Sequence, residues 1–237
     1  VILAAGDRSI AEDGQSLLLE TLGGKKVIDY VVENVGHIVP PEDTYIVTGY
    51  RGNSIRQHLG PAYTYVHQTA PQGTGQAVLA VKPLLEDYDG DLLILYGDTP
   101  LFSPTSIRGL INRHRLRRAD LTLLTAVADR PYPYGRVIRD SSGSIIAIIE
   151  EAAASAHHKE IRELNVGAYV VAARQIWPVL ETLTPSLKDG EYRLTDSVHR
   201  LIHQGLQVDC YQIYDQDEIQ GINTRPDLEQ AGFTLLK

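Results

Sequence analysis

Asp98 is the residue in this sequence whose setting points most directly to chemistry. It follows the apolar run at residues 92–96, with Gly97 between them and Pro100 two residues later. The run predicts a buried strand, and ligands of open α/β sheets bind outside the carboxyl ends of the strands. A carboxylate there suits Mg2+, which takes one or two protein carboxylates and keeps positions for water and substrate phosphates. Capping of the next helix is the alternative role for Asp98.

A second candidate follows the first apolar run of the chain. Leu3, Ala4 and Ala5 lead directly into Gly6, and a polar loop comes next. A strand that ends in such a loop can present backbone N–H groups to a phosphate. A plain strand end is the alternative, because Ala-Ala-Gly is a common tripeptide.

A third candidate is the segment in which Gly73 and Gly75 bracket Thr74 at the start of a predicted helix. The glycines allow close backbone approach, and a helix N-terminus favours an anion or the polar edge of a ligand. Simple N-capping by Thr74 is the alternative. Gln68, just upstream, offers both a donor and an acceptor that could read a base, although a solvated loop glutamine is the alternative.

Several residues of the second half could line a pocket for a sugar. Gly135 stands at the start of a predicted strand, where a missing side chain would let a sugar reach the backbone. Glu150 ends the paired strand and could accept protons from sugar hydroxyls. Asn165 and Asn223 each lie within two residues of a glycine near a strand end. A bulge, a solvated glutamate and two turns are the structural alternatives.

Composition limits the classes of protein that fit. The chain has 237 residues, of which 43% are apolar and 22% charged, values typical of a soluble globular protein. The net charge of −8 argues against non-specific binding to nucleic acid. Cys210 is the one cysteine, which fits a reducing cytosol. The sequence has no run of 18 apolar residues, so we expect a cytoplasmic protein without a membrane partner; a homo-oligomer is possible.

The predicted elements that must position these residues alternate along the first half. We expect strands at 1–5, 44–48, 64–66, 92–98 and 121–127, and helices at 25–36, 55–59, 73–85 and 104–118. In the second half we expect a hairpin of 136–139 with 145–150, an exposed linker or helix at 152–163, and a strand at 166–171. This order predicts an α/β fold, a Rossmann-like mixed and mostly parallel sheet with helices on both faces.

The ordered set of motifs resembles the sugar-nucleotidyltransferase (nucleotide-sugar pyrophosphorylase) family. Within it the chain is most similar to the uridyltransferase domain of bacterial bifunctional N-acetylglucosamine-1-phosphate uridyltransferases. The most specific stretches are Gly-Asp-Thr-Pro-Leu from Gly97, Tyr-Gly-Arg from Tyr134, and Glu-Tyr-Arg-Leu-Thr-Asp from Glu191. The resemblance spans almost the whole chain. It implies one nucleotidyltransferase domain, with a nucleotide-binding half at about 1–130 and a sugar-binding half at about 131–237.

The resemblance also implies a reaction and a role for each site residue. A sugar 1-phosphate attacks the α-phosphorus of UTP and pyrophosphate leaves, giving UDP-N-acetylglucosamine, a cell-wall precursor. Asp98 and Asn223 match the Mg2+ ligands. The nucleotide-binding positions match Leu3, Ala4, Ala5, Gly6, Gln68, Gly73 and Thr74. The sugar-binding positions match Gly135, Glu150, Asn165 and Tyr192.

One loop departs from the family pattern. An arginine and a lysine of the family's signature loop hold the triphosphate, but an ungapped alignment places Ile10 and Leu17 there. Three explanations are open: the loop is truly altered, Arg8 substitutes together with Lys25 or Lys26, or loop residues are missing from the sequence. We take Arg8 and Lys25 as catalytic candidates. The competing hypotheses are an impaired nucleotide-binding or regulatory homologue, and a pyrophosphorylase for another base or sugar.

Two histidine pairs are also candidate metal ligands. His157 and His158 have no further ligand at useful spacing, which favours a solvated linker. His199 and His203 are four residues apart on a predicted helix, a spacing compatible with zinc. The residues between them lack the acid of a metalloprotease motif, which favours a surface stripe.

Overall fold

The computed structural model describes residues 1–6, 16–50 and 52–236. The strands are β1 Ile2–Ala4, β2 Thr21–Leu22, β3 Lys25–Lys26, β4 Tyr45–Thr48, β5 Thr64–His67, β6 Asp91–Tyr96, β7 Leu121–Val127, β8 Gly135–Arg139, β9 Ile145–Ile149, β10 Glu163–Ala172 and β11 Val208–Ile213. The α-helices are α1 Val27–Gly36, α2 Gly52–Leu59, α3 Thr74–Leu79, α4 Lys82–Leu85, α5 Pro104–Arg117, α6 Ala156–Lys159, α7 Ala173–Glu181, α8 Leu194–His203 and α9 Arg225–Leu235.

A mixed, mostly parallel sheet runs through the molecule, as the sequence predicts. Its strand order is β11-β7-β10-β6-β1-β4-β5, and the β8–β9 hairpin joins it by pairing β8 with β10. β10 runs antiparallel to its neighbours β6 and β7, whereas β1, β4, β5 and β6 are parallel. The amino end of β10 therefore lies at the same edge as the carboxyl ends of β6 and β7.

Helices cover both faces of this sheet because successive strand residues point to opposite sides. Ile2 and Ala4 of β1 pack into one apolar cluster with residues of α1 and α5. Leu3, between them, belongs to a second cluster with residues of α3, α7 and α8. The predicted layering of helix, sheet and helix is confirmed.

The structure corrects two predicted elements. The helix expected at 73–85 is broken into α3 and α4 around Ala80 and Val81. Pro83 explains the break, because its ring excludes a continuous helix across the preceding turn. The strand expected at 166–171 begins earlier, at Glu163, so the predicted linker shortens to a 3-10 turn and the short α6.

None of the helices in the described ranges is long and apolar enough to cross a membrane.

Candidate active site

Asp98 lies just beyond the carboxyl end of β6, next to the end of β1. The Gly97 N–H donates to the Leu3 carbonyl over 2.9 Å, which ties the ends of β6 and β1 together. A Cβ atom at Gly97 would lie 3.1 Å from the Ile28 side chain and 3.2 Å from the Leu3 carbonyl. The absence of a side chain at Gly97 therefore allows the ends of β6 and β1 to pack together next to Asp98.

Burial raises the pKa of Asp98 to about 6, because a desolvated carboxylate disfavours its charged form. No described residue forms a salt bridge with Asp98. A half-buried carboxylate without a cationic partner is a group that a bound metal ion would stabilise.

Asn223 lies near Asp98, in the segment that precedes α9. The Ile222 N–H donates to the Asp98 carbonyl over 2.8 Å. The position of a Cβ on Gly221 lies 3.5 Å from Asn223 Nδ2 and 3.8 Å from the Asp98 carbonyl oxygen. The Tyr134 hydroxyl accepts from the Gly221 N–H over 2.8 Å and fixes this segment. One carboxylate and one amide oxygen are a donor set that fits Mg2+.

Gln68 and Gly73, predicted to act together on the nucleotide, are in direct contact. Gln68 Nε2 donates to the Gly73 carbonyl over 3.2 Å, and the Gln68 N–H donates to the Thr48 carbonyl at the end of β4. Gly73 has φ +103°, and a Cβ there would lie 2.6 Å from the Tyr192 carbonyl oxygen. Beside this contact is a cavity of about 230 Å³ lined by His67, Gln68, Thr69, Gln72 and Gln76.

Thr74 does not cap α3, so the capping alternative is wrong. Gly73 is the N-cap, and Thr74 Oγ1 instead accepts from the Leu194 N–H over 2.9 Å at the start of α8. The backbone of Tyr192 bonds to Gln72 and Gly75, over 2.7 Å in each case. The candidate nucleotide segment and the Tyr192 stretch are therefore held as one unit.

Asn165, Gly135 and Glu150 form the second candidate pocket. Asn165 on β10 pairs with Gly135 on β8. A Cβ on Gly135 would lie 3.7 Å from Glu150 Oε2, and Glu150 Oε1 accepts from the Thr195 hydroxyl over 2.5 Å. Asn165 Nδ2 donates to the Tyr169 hydroxyl over 2.6 Å, while the buried Asn165 Oδ1 has no hydrogen-bond partner among the described residues. That orphaned acceptor calls for a donor from a ligand.

Sequence reasoning missed the tyrosines that connect the two pockets. The Tyr96 hydroxyl lies near the side chains of both Thr74 and Tyr169. Tyr169 is fully buried, and burial raises its pKa. Both tyrosines sit in apolar strands, where core packing is the natural interpretation. The sequence signal that could have indicated them is Gly167. Its φ is +84°, and its backbone lies so close to Tyr96 that a Cβ would be 2.9 Å from the ring.

The remaining predicted residues belong to the N-terminal loop and the segments next to it. Arg8 lies outside the described residues. Lys25 Nζ bonds to Glu33 over 2.6 Å at the protein surface. Leu17, aligned with the family lysine, is only 2% exposed. Ala4 and Ala5 are buried, and no atom of the described residues lies within 4 Å of the point that a Cβ on Gly6 would occupy.

Comparisons with known proteins show the family to which this chain belongs. The family model for the MobA-like NTP transferase domain matches residues 1–203. The bifunctional protein GlmU of Acetivibrio thermocellus is 33% identical over 98% of this chain, and that of Solibacter usitatus is 35% identical over 98%. The same protein of Brevibacillus brevis is 34% identical over 100%. The chain spans about half the length of these relatives, 50%, 50% and 51%.

Solved structures of nucleotidyltransferases share the fold. UDP-glucose pyrophosphorylase in complex with UDP-glucose superposes with a TM-score of 0.78 at 14% identity, over 99% of this chain and 97% of that one. A Bacillus anthracis protein assigned as a glucose-1-phosphate thymidylyltransferase gives a TM-score of 0.76 at 20% identity, over 98% and 92%. With the family match over most of its length, this chain belongs to the MobA-like NTP transferase family of nucleotidyltransferases.

Proposed function

We propose that this chain transfers a uridylyl group from UTP to N-acetylglucosamine 1-phosphate, giving UDP-N-acetylglucosamine and pyrophosphate with Mg2+. The observation that carries the proposal is the shared edge at which Asp98 and Asn223 lie close together. The Gln68–Gly73 contact and the Asn165–Glu150 pocket are joined to each other through Thr74 and the two tyrosines. The GlmU relatives favour this base and sugar.

In the proposed reaction a phosphate oxygen of the sugar substrate attacks the α-phosphorus of UTP. A new P–O bond forms while the bond to the β-phosphate oxygen breaks, and pyrophosphate carries away the electron pair. Positioning and charge neutralisation provide most of the acceleration in such transfers. Mg2+, held by Asp98 and Asn223, would neutralise phosphate charge.

The protein side chains then orient the two substrates. Gln68 and the backbone at Gly73 would bind the uracil, next to the 230 Å³ cavity. Asn165 Oδ1 would accept a hydrogen bond from the amino sugar, and Glu150 would accept from a hydroxyl. The nucleotide-binding half at about 1–130 and the sugar-binding half at about 131–237 are part of this proposal.

A second candidate function is nucleotide binding with little or no catalysis. Leu17 favours it, because a buried leucine cannot neutralise a triphosphate. The engagement of Lys25 with Glu33 favours it as well. A pyrophosphorylase for another sugar or base is the third candidate, since UDP-glucose pyrophosphorylase shares the fold.

Pyrophosphate release tests these alternatives. UTP and N-acetylglucosamine 1-phosphate with Mg2+ should give release, and Asp98→Ala should abolish it. Asp89→Asn, which alters a surface carboxylate paired with Arg174, is the matched control and should keep full activity. Glucose 1-phosphate and TTP, each exchanged singly, test the sugar and the base.

Absence of release with every substrate pair would overturn the enzyme proposal. If UTP then still raised the melting temperature of the wild-type protein, the nucleotide-binding homologue would take its place. Faster release with glucose 1-phosphate or TTP would instead identify the third candidate.

A further inference from the structure

His199 and His203 lie one turn apart on α8 and are both exposed. Their Nε2 atoms are 3.0 Å apart, and the rings meet edge to face with centroids separated by 4.3 Å. Leu194, Val198 and Leu201 anchor the other side of the same helix in the core. The two Nε2 atoms therefore lie side by side on the solvent-exposed face of α8, where one ring donates a hydrogen bond to the other, and a bound metal ion would replace that hydrogen bond.

We propose that His199 and His203 form a two-nitrogen site for a late transition-metal dication such as Cu2+ or Ni2+. Metal–imidazole bonds of about 2.0–2.1 Å to nitrogens 3.0 Å apart give an angle at the metal of about 90–97°. Adjacent ligands of square-planar and octahedral complexes subtend that angle, and Cu2+ and Ni2+ favour those geometries. Tetrahedral zinc would need the nitrogens about 3.3–3.4 Å apart at the same bond lengths.

Charged side chains of both signs lie near the pair. Asp196 lies one turn earlier on α8 and is close enough to interact electrostatically with His199. The Arg200 guanidinium bonds to the Thr182 hydroxyl over 3.3 Å, which turns its positive charge towards α7. Arg193 and Arg200 also interact with the Asp196 carboxylate, so its negative charge is shared between them and His199.

The protein supplies two ligands, and water would fill the other positions. Within the described ranges, no group of three or more His, Cys, Asp and Glu residues is arranged to hold a metal. Imidazole is a poor ligand for Mg2+, which prefers oxygen. The site is therefore separate from Asp98 and Asn223 in both place and metal preference.

Metal binding would stabilise the helical conformation of α8, whose first turn contacts the candidate pockets. A chelate across one turn holds the helical conformation of residues 199–203. The first turn of α8 contacts Thr74 through the Leu194 N–H and Glu150 through the Thr195 hydroxyl. A bound ion should consequently raise the melting temperature, as any ligand selective for the folded state does.

Calorimetric titration of the tag-free chain with NiCl2 and with CuCl2, in excess Mg2+, tests the proposal. We expect one site that requires both histidines, so His199→Gln and His203→Gln should each weaken binding at least tenfold. His157→Gln is the matched control, because neighbouring residues on a helix do not face each other and the His157 and His158 rings are 6.3 Å apart. This variant should bind like the wild type.

Two further readouts keep the test independent of any loss of folding. Electron paramagnetic resonance of the Cu2+ complex should show coupling to two nitrogens, and Ni2+ should raise the melting temperature of the wild type but not of the double variant. Binding that survives either single substitution undiminished, or that falls equally in His157→Gln, would overturn the site. Displacement of Ni2+ by millimolar Mg2+ would do the same.

Discussion

Asn165 Nδ2 donates to the Tyr169 hydroxyl over 2.6 Å, and no described residue donates a hydrogen bond to its buried Oδ1. The tyrosine thereby sets which end of the amide faces the candidate sugar pocket. An acceptor directed at the ligand selects for substrates with an N–H or O–H at that position.

Tyr169→Phe should therefore impair use of the sugar substrate more than turnover. The loss of one hydrogen bond, about 0.5–1.5 kcal/mol, predicts an increase of about 2–10-fold in the KM for the sugar 1-phosphate with a nearly constant kcat. Steady-state kinetics measure both constants. Tyr132→Phe, which alters a tyrosine outside this network, is the control, and an unchanged KM in Tyr169→Phe would contradict the positioning role.

The pKa of Asp98 should make stability depend on pH in a definite direction. Its folded-state pKa of about 6 exceeds the ordinary value of 3.8, so the folded state binds more protons between these values. The free energy of unfolding of the wild type should thus fall relative to Asp98→Asn as pH rises from 4 to 7, by about 1–3 kcal/mol. Urea unfolding without Mg2+ measures the difference.

Asp140 provides the opposite control for that experiment. Hydrogen bonds from Ser142 and Ser144 lower its pKa, so its contribution is present at neutral pH and is lost as pH falls through that lowered value. Asp140→Asn should be less stable than wild type at pH 7 and should approach it in acid. Parallel pH profiles for the wild type and Asp98→Asn would contradict the role given to burial.

Gly73→Ala should disrupt the unit that joins the two pockets. The substitution places a Cβ 2.6 Å from the Tyr192 carbonyl oxygen in a backbone with φ +103°, so strain and overlap add. We expect a loss of about 2–4 kcal/mol in the free energy of unfolding and weaker binding of UTP.

Gly143→Ala distinguishes the effect of backbone strain from the effect of overlap with Tyr192. Gly143 also has positive φ, +85°, but no atom in the described part of the chain lies within 4 Å of its Cβ position. This variant should lose only the strain, about 1–2 kcal/mol, and should bind UTP normally. Equal losses in the two variants would show that overlap with Tyr192 is unimportant.

The catalytic role of Lys25 can be tested by comparing its substitution with that of its ion-pair partner, Glu33. If it supplies the charge that the family lysine supplies elsewhere, Lys25→Ala should reduce kcat tenfold or more. Glu33→Gln, which breaks the same exposed ion pair, should keep kcat and leave stability nearly unchanged. Equal turnover in both variants would remove Lys25 from the proposed catalytic set.

The sequence predicted the layers of the fold well because its strands are short apolar runs between clear helical periods. Asp98 was recognisable because it ends such a run. The break at Pro83 could have been anticipated, since the proline lies inside the predicted helix. The hydrogen bond that the Leu194 N–H donates to Thr74 could not have been anticipated, because it joins residues 120 apart in sequence.

Tyr169 shows a second limit of sequence reasoning. Its setting in β10 is that of a core residue, and most of its ring is indeed used for packing. Only the position of its hydroxyl, beside Asn165 and Tyr96, reveals the polar network. His199 and His203 are a similar case, because spacing indicated a shared face but the separation of their nitrogens depends on rotamers.

The placement of β10 between β6 and β7 has a consequence for how the chain is made. Both of those strands leave the ribosome well before β10, whose last residue is Ala172. Until then each presents an unpaired edge of backbone N–H and C=O groups, which other chains can add to. A nascent chain that has emerged only as far as β7 would consequently be a substrate for chaperones, because β6 and β7 can be joined only after Ala172 of β10 has been synthesised.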